Sequence, residues 1–295
     1  MTVLEVIQSA TSWLEKNGVE NPRLNAEHLL AHALGKRRLD LYLEFDRPLS
    51  DDERAPLRKS IRERATGTPL QYLLGEWDFF GRSFHCDPRA LIPRPETEQL
   101  IELSLPHLSS LYEDLKNNPS PAEPPALKIA DVGTGSGVIA ITLAEELAEH
   151  KIPTEIHATD LSEDALALAK KNADRHPGSR QIRFSKTSLL PDQPETFHAI
   201  LANLPYIPSE ELSQLQRELS HEPRQALDGG TDGLDYIRPL IEQAATRLTP
   251  NAFLALEFSS GQEKTIEEIC KKSGLATTLF EKDHQDFVRF LIAKK

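Results

Sequence analysis

Three alternating glycines in Asp131-Val132-Gly133-Thr134-Gly135-Ser136-Gly137 constrain this chain most. The apolar run Leu127-Lys128-Ile129-Ala130 leads into them, and Val138-Ile139-Ala140-Ile141-Thr142-Leu143-Ala144 leads away. A strand-length segment therefore turns sharply into an amphipathic helix, and the turn's backbone can pass close beneath a bound ligand. The spacing is Gly-x-Gly-x-Gly, not the Gly-x-Gly-x-x-Gly of dinucleotide folds, and no Gly-Lys-Ser/Thr follows. A nucleotide phosphate is disfavoured. Asp131, Gly133, Thr134, Gly135, Ser136 and Gly137 become candidate contacts for a cofactor of another kind.

The next unit narrows the chemistry. Thr154 to Thr159 reads as a second strand ending at Asp160, and Leu161-Ser162 opens a helix containing Ala165, Leu166, Leu168 and Ala169. A carboxylate at a strand's C-terminal end, one β-α-β unit after a glycine loop, is placed to accept both hydrogen bonds of a ribose diol. Together they point to an adenosine-type cofactor. Gln181 to Ser185, Phe197 to Ala202 and Phe253 to Phe258 read as further strands, and Thr277 to Glu281 with Phe287 to Ile292 as a closing pair. Helices are expected at about Glu210 to Leu219, Tyr236 to Leu248 and Glu263 to Lys272. Such alternation means a mainly parallel sheet covered on both faces.

The first 75 residues read differently. Thr2 with Glu5 and Ser50 with Glu53 form capping boxes, and Asn21-Pro22 starts another helix. Val3, Val6, Ile7, Ala10, Trp13 and Leu14 recur at helical spacing and are expected in a core. A short helix is expected from Leu39 to Leu43 and one more turn from Pro69 to Leu74. The expected division is a small helical domain over 1–75, a β-hairpin linker over 76–94 turning at Gly81-Arg82, and an α/β domain over 95–295. His85 reads as a structural strand residue, and Pro-Glu-Thr-Glu at 95–98 either caps a helix or reaches the cofactor. A Pro-, Asn- and Ser-rich linker is expected from Asn117 to Pro125.

Charge separates the two parts as well. The chain carries 34 Lys and Arg against 46 Asp and Glu, a formal net charge of -12. Residues 1–75 hold 11 basic and 11 acidic residues, so the whole excess, 23 against 35, lies in the remainder. No stable nucleic-acid binding is expected of it, and a basic or neutral protein partner fits better. Cys86 and Cys270 fit no metal or redox spacing and read as buried thiols, so no metal is expected. No segment has the apolar length to span a bilayer, and a cytoplasmic monomer without membrane contact is expected.

The strand ending at Ala202 delivers Asn203-Leu204-Pro205-Tyr206 to the edge where open α/β sheets bind ligands. The Asn203 oxygen and the Leu204 carbonyl can both accept from one planar NH2 group, while Tyr206 packs on its face. This clamp suits methylation of an amide or exocyclic amine, because it orients the nitrogen and favours an exposed lone pair. Asn203, Leu204, Pro205 and Tyr206 are the candidate catalytic residues, and Asn203 is a candidate cofactor contact as well.

At these residues the sequence resembles class I S-adenosylmethionine-dependent methyltransferases, and within them the peptide-chain release factor N5-glutamine methyltransferases. Gly67-Thr68-Pro69-Leu70-Gln71-Tyr72, Leu91 to Glu98, the glycine loop, Asn203 to Ile207 and Glu222 to Gly230 carry the resemblance. It implies a Rossmann-like, mainly parallel seven-stranded sheet with a helical N-terminal domain that helps dock the substrate. The implied cofactor is S-adenosyl-L-methionine, and the implied partners are class I release factors, methylated on the glutamine of a Gly-Gly-Gln loop. Leu204 stands where the family usually has proline, and Thr187 and Ser188 stand where an acidic or aromatic residue often lies beside adenine, so Ser188 joins the cofactor candidates. Two alternatives stay open: an adenine N6-methyltransferase on RNA or DNA, and a non-catalytic cofactor-binding docking protein.

Overall fold

The computed structural model describes residues 1–118, 125–275 and 277–295. They form two compact units: 1–77 with 86–88 and 215–222, and 78–85 with 89–214 and 223–295. The linker expected from Asn117 to Pro125 lies largely outside the described residues.

In the helical unit, α1 (Val3–Lys16) and α3 (Asp51–Ala65) begin at the two expected capping boxes, with Thr2 and Ser50 accepting from Glu5 and Glu53 amides. α2 (Pro22–Ala33) starts on Pro22, whose missing N–H costs nothing in a first turn, and α4 (Leu70–Leu74) is a single turn. Arg38–Leu43 is a 3-10 turn. The core is lined by Val3, Ile7, Leu14, Leu29, Leu30 and Leu41. Trp13 is not in it. Its side chain is 50% exposed, because the buried stripe of α1 passes through Ala10 and Leu14 and leaves Trp13 on the flank.

The larger unit is built on seven strands. β1 (Glu76–Phe79) and β2 (Arg82–His85) form the hairpin, turning at Phe80-Gly81, both at positive φ, one residue earlier than expected. After α5 (Pro95–Asn117) come β3 (Leu127–Val132), α6 (Val138–Glu149), β4 (Thr154–Asp160), α7 (Glu163–Ala173), β5 (Arg183–Lys186) and β6 (Phe197–Asn203). Then follow α8 (Ile237–Arg247), β7 (Leu248–Glu257), α9 (Glu263–Ser273), β8 (Thr277–Lys282) and β9 (Val288–Lys294). Sheet order is β5-β4-β3-β6-β7-β9-β8, with only β9 running against its neighbours. Alternate β3 side chains feed opposite cores: Ile129 packs with α6, while Ala130 and Val132 pack with α8 and α9 residues.

The helix expected over Glu210 to Leu219 is absent. Two 3-10 turns, Glu211–Gln214 and Arg217–His221, stand there, separated by Leu215 and Gln216, the latter at φ -53° and ψ 144°, outside the helical region. Neither turn buries a residue, so no apolar face exists to stabilise a longer helix.

β3 pairs with β4 on one side and β6 on the other, so chain direction across the sheet reverses at β3. The crevice at the C-terminal ends of these strands is where open α/β sheets hold ligands. The glycine loop, Asp160 and Asn203 all emerge there.

Candidate active site

Gly133, Gly135 and Gly137 have φ of +73°, +56° and +87°, a region that side chains strain. The loop they form is tied down at several points. Gly133 and Thr134 amides donate to the Thr159 carbonyl, and the Gly135 amide donates to Asp160 Oδ2 at 2.9 Å. Asn172, fully buried on α7, donates to the Ser136 carbonyl at 2.9 Å and also holds the backbone of His85. Sequence reading passed over Asn172. Its signal is position: it continues the apolar stripe of Ala165, Leu168 and Ala169, where a polar side chain needs a buried partner.

A cleft of about 960 Å³, open mouth included, lies over this loop. Gly133, Thr134, Gly135 and Ser136 form part of its wall, and Asp160 with Ser188 another part. Asn203, Leu204 and Pro205 close the acceptor side. Three candidates stand elsewhere. Asp131 is buried behind the loop, where Oδ2 accepts from Thr134 Oγ1 (2.6 Å) and the Ala140 amide (3.0 Å). Its Oδ1 has no hydrogen-bond partner among the described residues, and burial pushes its pKa up to about 7. Gly137 packs α6 onto α7: a Cβ there would meet Ile141 Cδ1 at 2.9 Å and Ala169 Cβ at 3.1 Å. Tyr206 turns its ring into the second core and its hydroxyl to Glu257, while Tyr236 lines the cleft.

S-adenosylmethionine, which the fold family implies, fits the residues present. At Gly135 a Cβ would find its first neighbour only at 3.9 Å, so this part of the loop is open for a ligand to lie on the backbone. Asp160 stands on the wall with Oδ1 accepting from Ser162 (2.8 Å) and Oδ2 from Gly135, leaving further lone pairs for a diol. Burial raises its pKa above the ordinary carboxylate value.

The acceptor side holds a buried chain of hydrogen bonds. Asn203 Nδ2 donates to Thr97 Oγ1 at 2.9 Å, and Thr97 Oγ1 donates to Glu257 Oε2 at 2.8 Å. The Tyr206 hydroxyl donates to Glu257 Oε1 at 3.2 Å. Glu257 lies opposite Asn203 in the β6-β7 register and is 2% exposed. Burial pushes its pKa up to about 7 against the opposing pull of the Thr97 hydrogen bond and the Arg289 charge. Thr97 thus belongs to the site, whereas Glu98 accepts from the Phe80 amide and anchors the hairpin. In the sequence Glu257 is marked as the lone carboxylate closing the apolar run Phe253 to Leu256, and whether it, Glu96 and Thr97 touch the cofactor or shape the pocket is open there.

The loop after Glu222 supports this segment from below. The Ile207 amide donates to the Leu227 carbonyl, the Gly229 amide donates to the Ile207 carbonyl, and Gln262 Nε2 donates to the Tyr206 carbonyl. A Cβ on Gly229 would stand 2.7 Å from the Pro205 carbonyl, so only glycine permits this approach.

Fold and site together define a class I methyltransferase. Residues 5–75 match the PrmC N-terminal domain and residues 129–222 a methyltransferase domain. A release factor glutamine methyltransferase of Geobacter sulfurreducens is 37% identical over 96% of this chain and 93% of its own length. One from Chlorobaculum tepidum is 39% identical over 87% and 85%. Among solved structures, the hMettl16 catalytic domain has a TM-score of 0.54 at 16% identity, covering 82% of each chain, a likeness of fold. The chain belongs to the release factor glutamine methyltransferase family.

Proposed function

We propose that this enzyme transfers a methyl group from S-adenosylmethionine to the side-chain amide nitrogen of the glutamine in the Gly-Gly-Gln loop of class I release factors, acting in the cytoplasm as a monomer without stable nucleic-acid binding. The observation that carries the amide chemistry is the orientation of Asn203. With Nδ2 committed to Thr97, Oδ1 is the atom left to accept from a substrate NH2. The choice of release factor rests on the relatives, which are named for it over nearly their whole length.

When bound, the cofactor supplies an electrophilic methyl group on a sulfonium. Gly133 to Ser136 and Asp160 would hold its adenosyl part, with Ser188 on the adenine side. Asn203 Oδ1 and the Leu204 carbonyl would accept the two amide hydrogens and turn the nitrogen lone pair toward the methyl carbon. Once methylated, the amide nitrogen would be strongly acidic and would lose its proton to water. No general base is required. Adenine methylation is the weaker reading, since the negative excess lies outside residues 1–75 and opposes a polyanion.

The helical unit, 1–75 in the sequence division, is assigned the docking role; its half-exposed Trp13 and the exposed Leu39 and Leu43 are contact-type surface. The test is incubation with labelled cofactor and purified release factor, followed by mass mapping of the label to the Gly-Gly-Gln glutamine. Absence of label with folded, cofactor-binding enzyme rejects the assignment.

A further inference from the structure

A carboxamide at a strand end can turn over, exchanging its oxygen and nitrogen, unless its neighbours distinguish donor from acceptor. Only one of the two orientations of Asn203 offers an acceptor to a substrate amide. What selects it lies behind the side chain. Ionised Glu257 can only accept, so it takes the hydroxyl protons of both Thr97 and Tyr206. Thr97 Oγ1, its own proton engaged, can then only accept, and it takes Nδ2 of Asn203. Oδ1 is left for the substrate. The polarity of one buried carboxylate is thus relayed through one hydroxyl to the cleft.

We propose that Thr97 and Glu257 are positioning residues for methyl transfer, and that together they fix which end of the Asn203 carboxamide meets the substrate. The proposal rests on the amide-methylation reading for its catalytic consequence, but not for the orientation itself. Three secondary-structure elements supply the parts: Thr97 from the first turn of α5, Asn203 from the end of β6 and Glu257 from the end of β7. All are in the larger unit. Thr97 is 3% exposed, so water does not compete freely for its hydroxyl. The charged groups around Glu257 are Arg289, which favours its ionisation and is itself held by Asp283 at 2.7 Å, and Glu96, which opposes it. Tyr206 is a further titratable neighbour.

Protonation of Glu257 would undo the relay. A carboxylic acid can donate to Thr97, which frees the threonine proton to turn toward Asn203 and permits the inverted amide. Wild-type kcat is therefore expected to fall below about pH 7, near the raised pKa of this carboxyl. Glu257→Gln, which can also donate to Thr97, is expected to show a lower kcat without that acid limb.

The deciding experiment uses the full chain with Thr97→Val, Thr97→Ser and Glu257→Gln. Single-turnover methyl transfer at saturating cofactor is measured from pH 6 to 8, and the Asn203 side-chain amide is followed by 15N NMR, assigned through its loss in Asn203→Ala. Thr97→Val, which preserves shape, should lower kcat about 10- to 100-fold with cofactor affinity within about twofold, and should move the Asn203 amide resonance. Thr97→Ser should restore most of both. Turnover of Thr97→Val within twofold of wild type, or an unmoved amide resonance, overturns the proposal. If wild type fails to methylate the release factor, the substrate assignment falls instead, and the Asn203 resonance alone decides the orientation.

Discussion

Leu204 Cδ2 lies 2.7 Å from the place where a Cβ on Gly133 would stand. The acceptor segment and the cofactor loop therefore interlock through one side chain and one missing side chain. Gly133→Ala meets both this contact and a φ of +73°, and should weaken cofactor binding and lower the melting temperature together. Leu204→Pro keeps the backbone carbonyl but loses packing at a residue 4% exposed. Turnover should be retained while stability falls by about 1–3 kcal/mol, less than a full Leu→Ala truncation in a core. Denaturation midpoints and single-turnover rates on both variants check this.

Asn203→Ala should leave fold and cofactor affinity largely intact, because the side chain lies at the open end of β6 and is only partly buried. It removes the acceptor that orients the amide, and turnover should fall about a hundredfold or more. Tyr206→Phe loses the hydrogen bond to Glu257 but keeps the ring against the second core, so it should be milder than Tyr206→Ala. Methylation of a release factor at saturating cofactor ranks the three; Asn203→Ala at the wild-type rate would remove the clamp.

Asp160 holds the loop by accepting from the Gly135 and Ser162 amides, and is proposed to hold the cofactor's ribose as well. Asp160→Ala should weaken S-adenosylmethionine by about 1.5–3 kcal/mol for each bond to the charged group that is lost. Accepting the diol requires the ionised form, and burial raises this pKa. Affinity should therefore weaken as pH falls through a value above the ordinary carboxylate range. Asp160→Asn should bind weakly at every pH, and calorimetry from pH 5 to 8 separates the two profiles.

Much of the candidate site is legible in the sequence because each of these parts closes a strand: the glycine loop after β3, Asp160 on β4, Asn203 on β6. Local pattern carries that much. Thr97 gains its role from Asn203, 106 positions away, and from Glu257, 160 positions away, and spacing along the chain cannot show such a pairing. The same holds for Asn172, whose partner Ser136 is 36 residues distant. Trp13 fails for another reason. Helical periodicity gives the direction of an apolar stripe but not its width, and a residue on the border is decided by what packs beside it.

Trp13 offers a direct test of the docking role. It borders a groove with Leu57 and Ile61, and Arg54, Arg58 and Arg62 of α3 also line it. Because half the ring is exposed, Trp13→Ala should change stability by no more than about 1 kcal/mol. If the helical unit holds the release factor, KM for that substrate should rise severalfold with kcat unchanged. Unchanged steady-state constants would move docking to another surface.

Buried carboxyls make the last expectation, on stability against pH. Asp131 and Glu257 are 0% and 2% exposed, and burial is the leading cause that raises each pKa to about 7, from ordinary values of 3.8 and 4.5. Between those limits the folded chain holds protons that the unfolded chain has released. Stability must then fall as pH rises from about 4 to about 7, with a limiting slope of about 1.4 kcal/mol per pH unit for each group. Asp131→Asn can still accept from Thr134 and Ala140, and Glu257→Gln can still accept from Thr97, so neither substitution should unfold the chain. Each should flatten its share of the slope and gain on wild type as pH rises. Urea midpoints at pH 5 and pH 8 decide the matter: equal pH dependence in wild type and both variants would mean that neither carboxyl carries the shift.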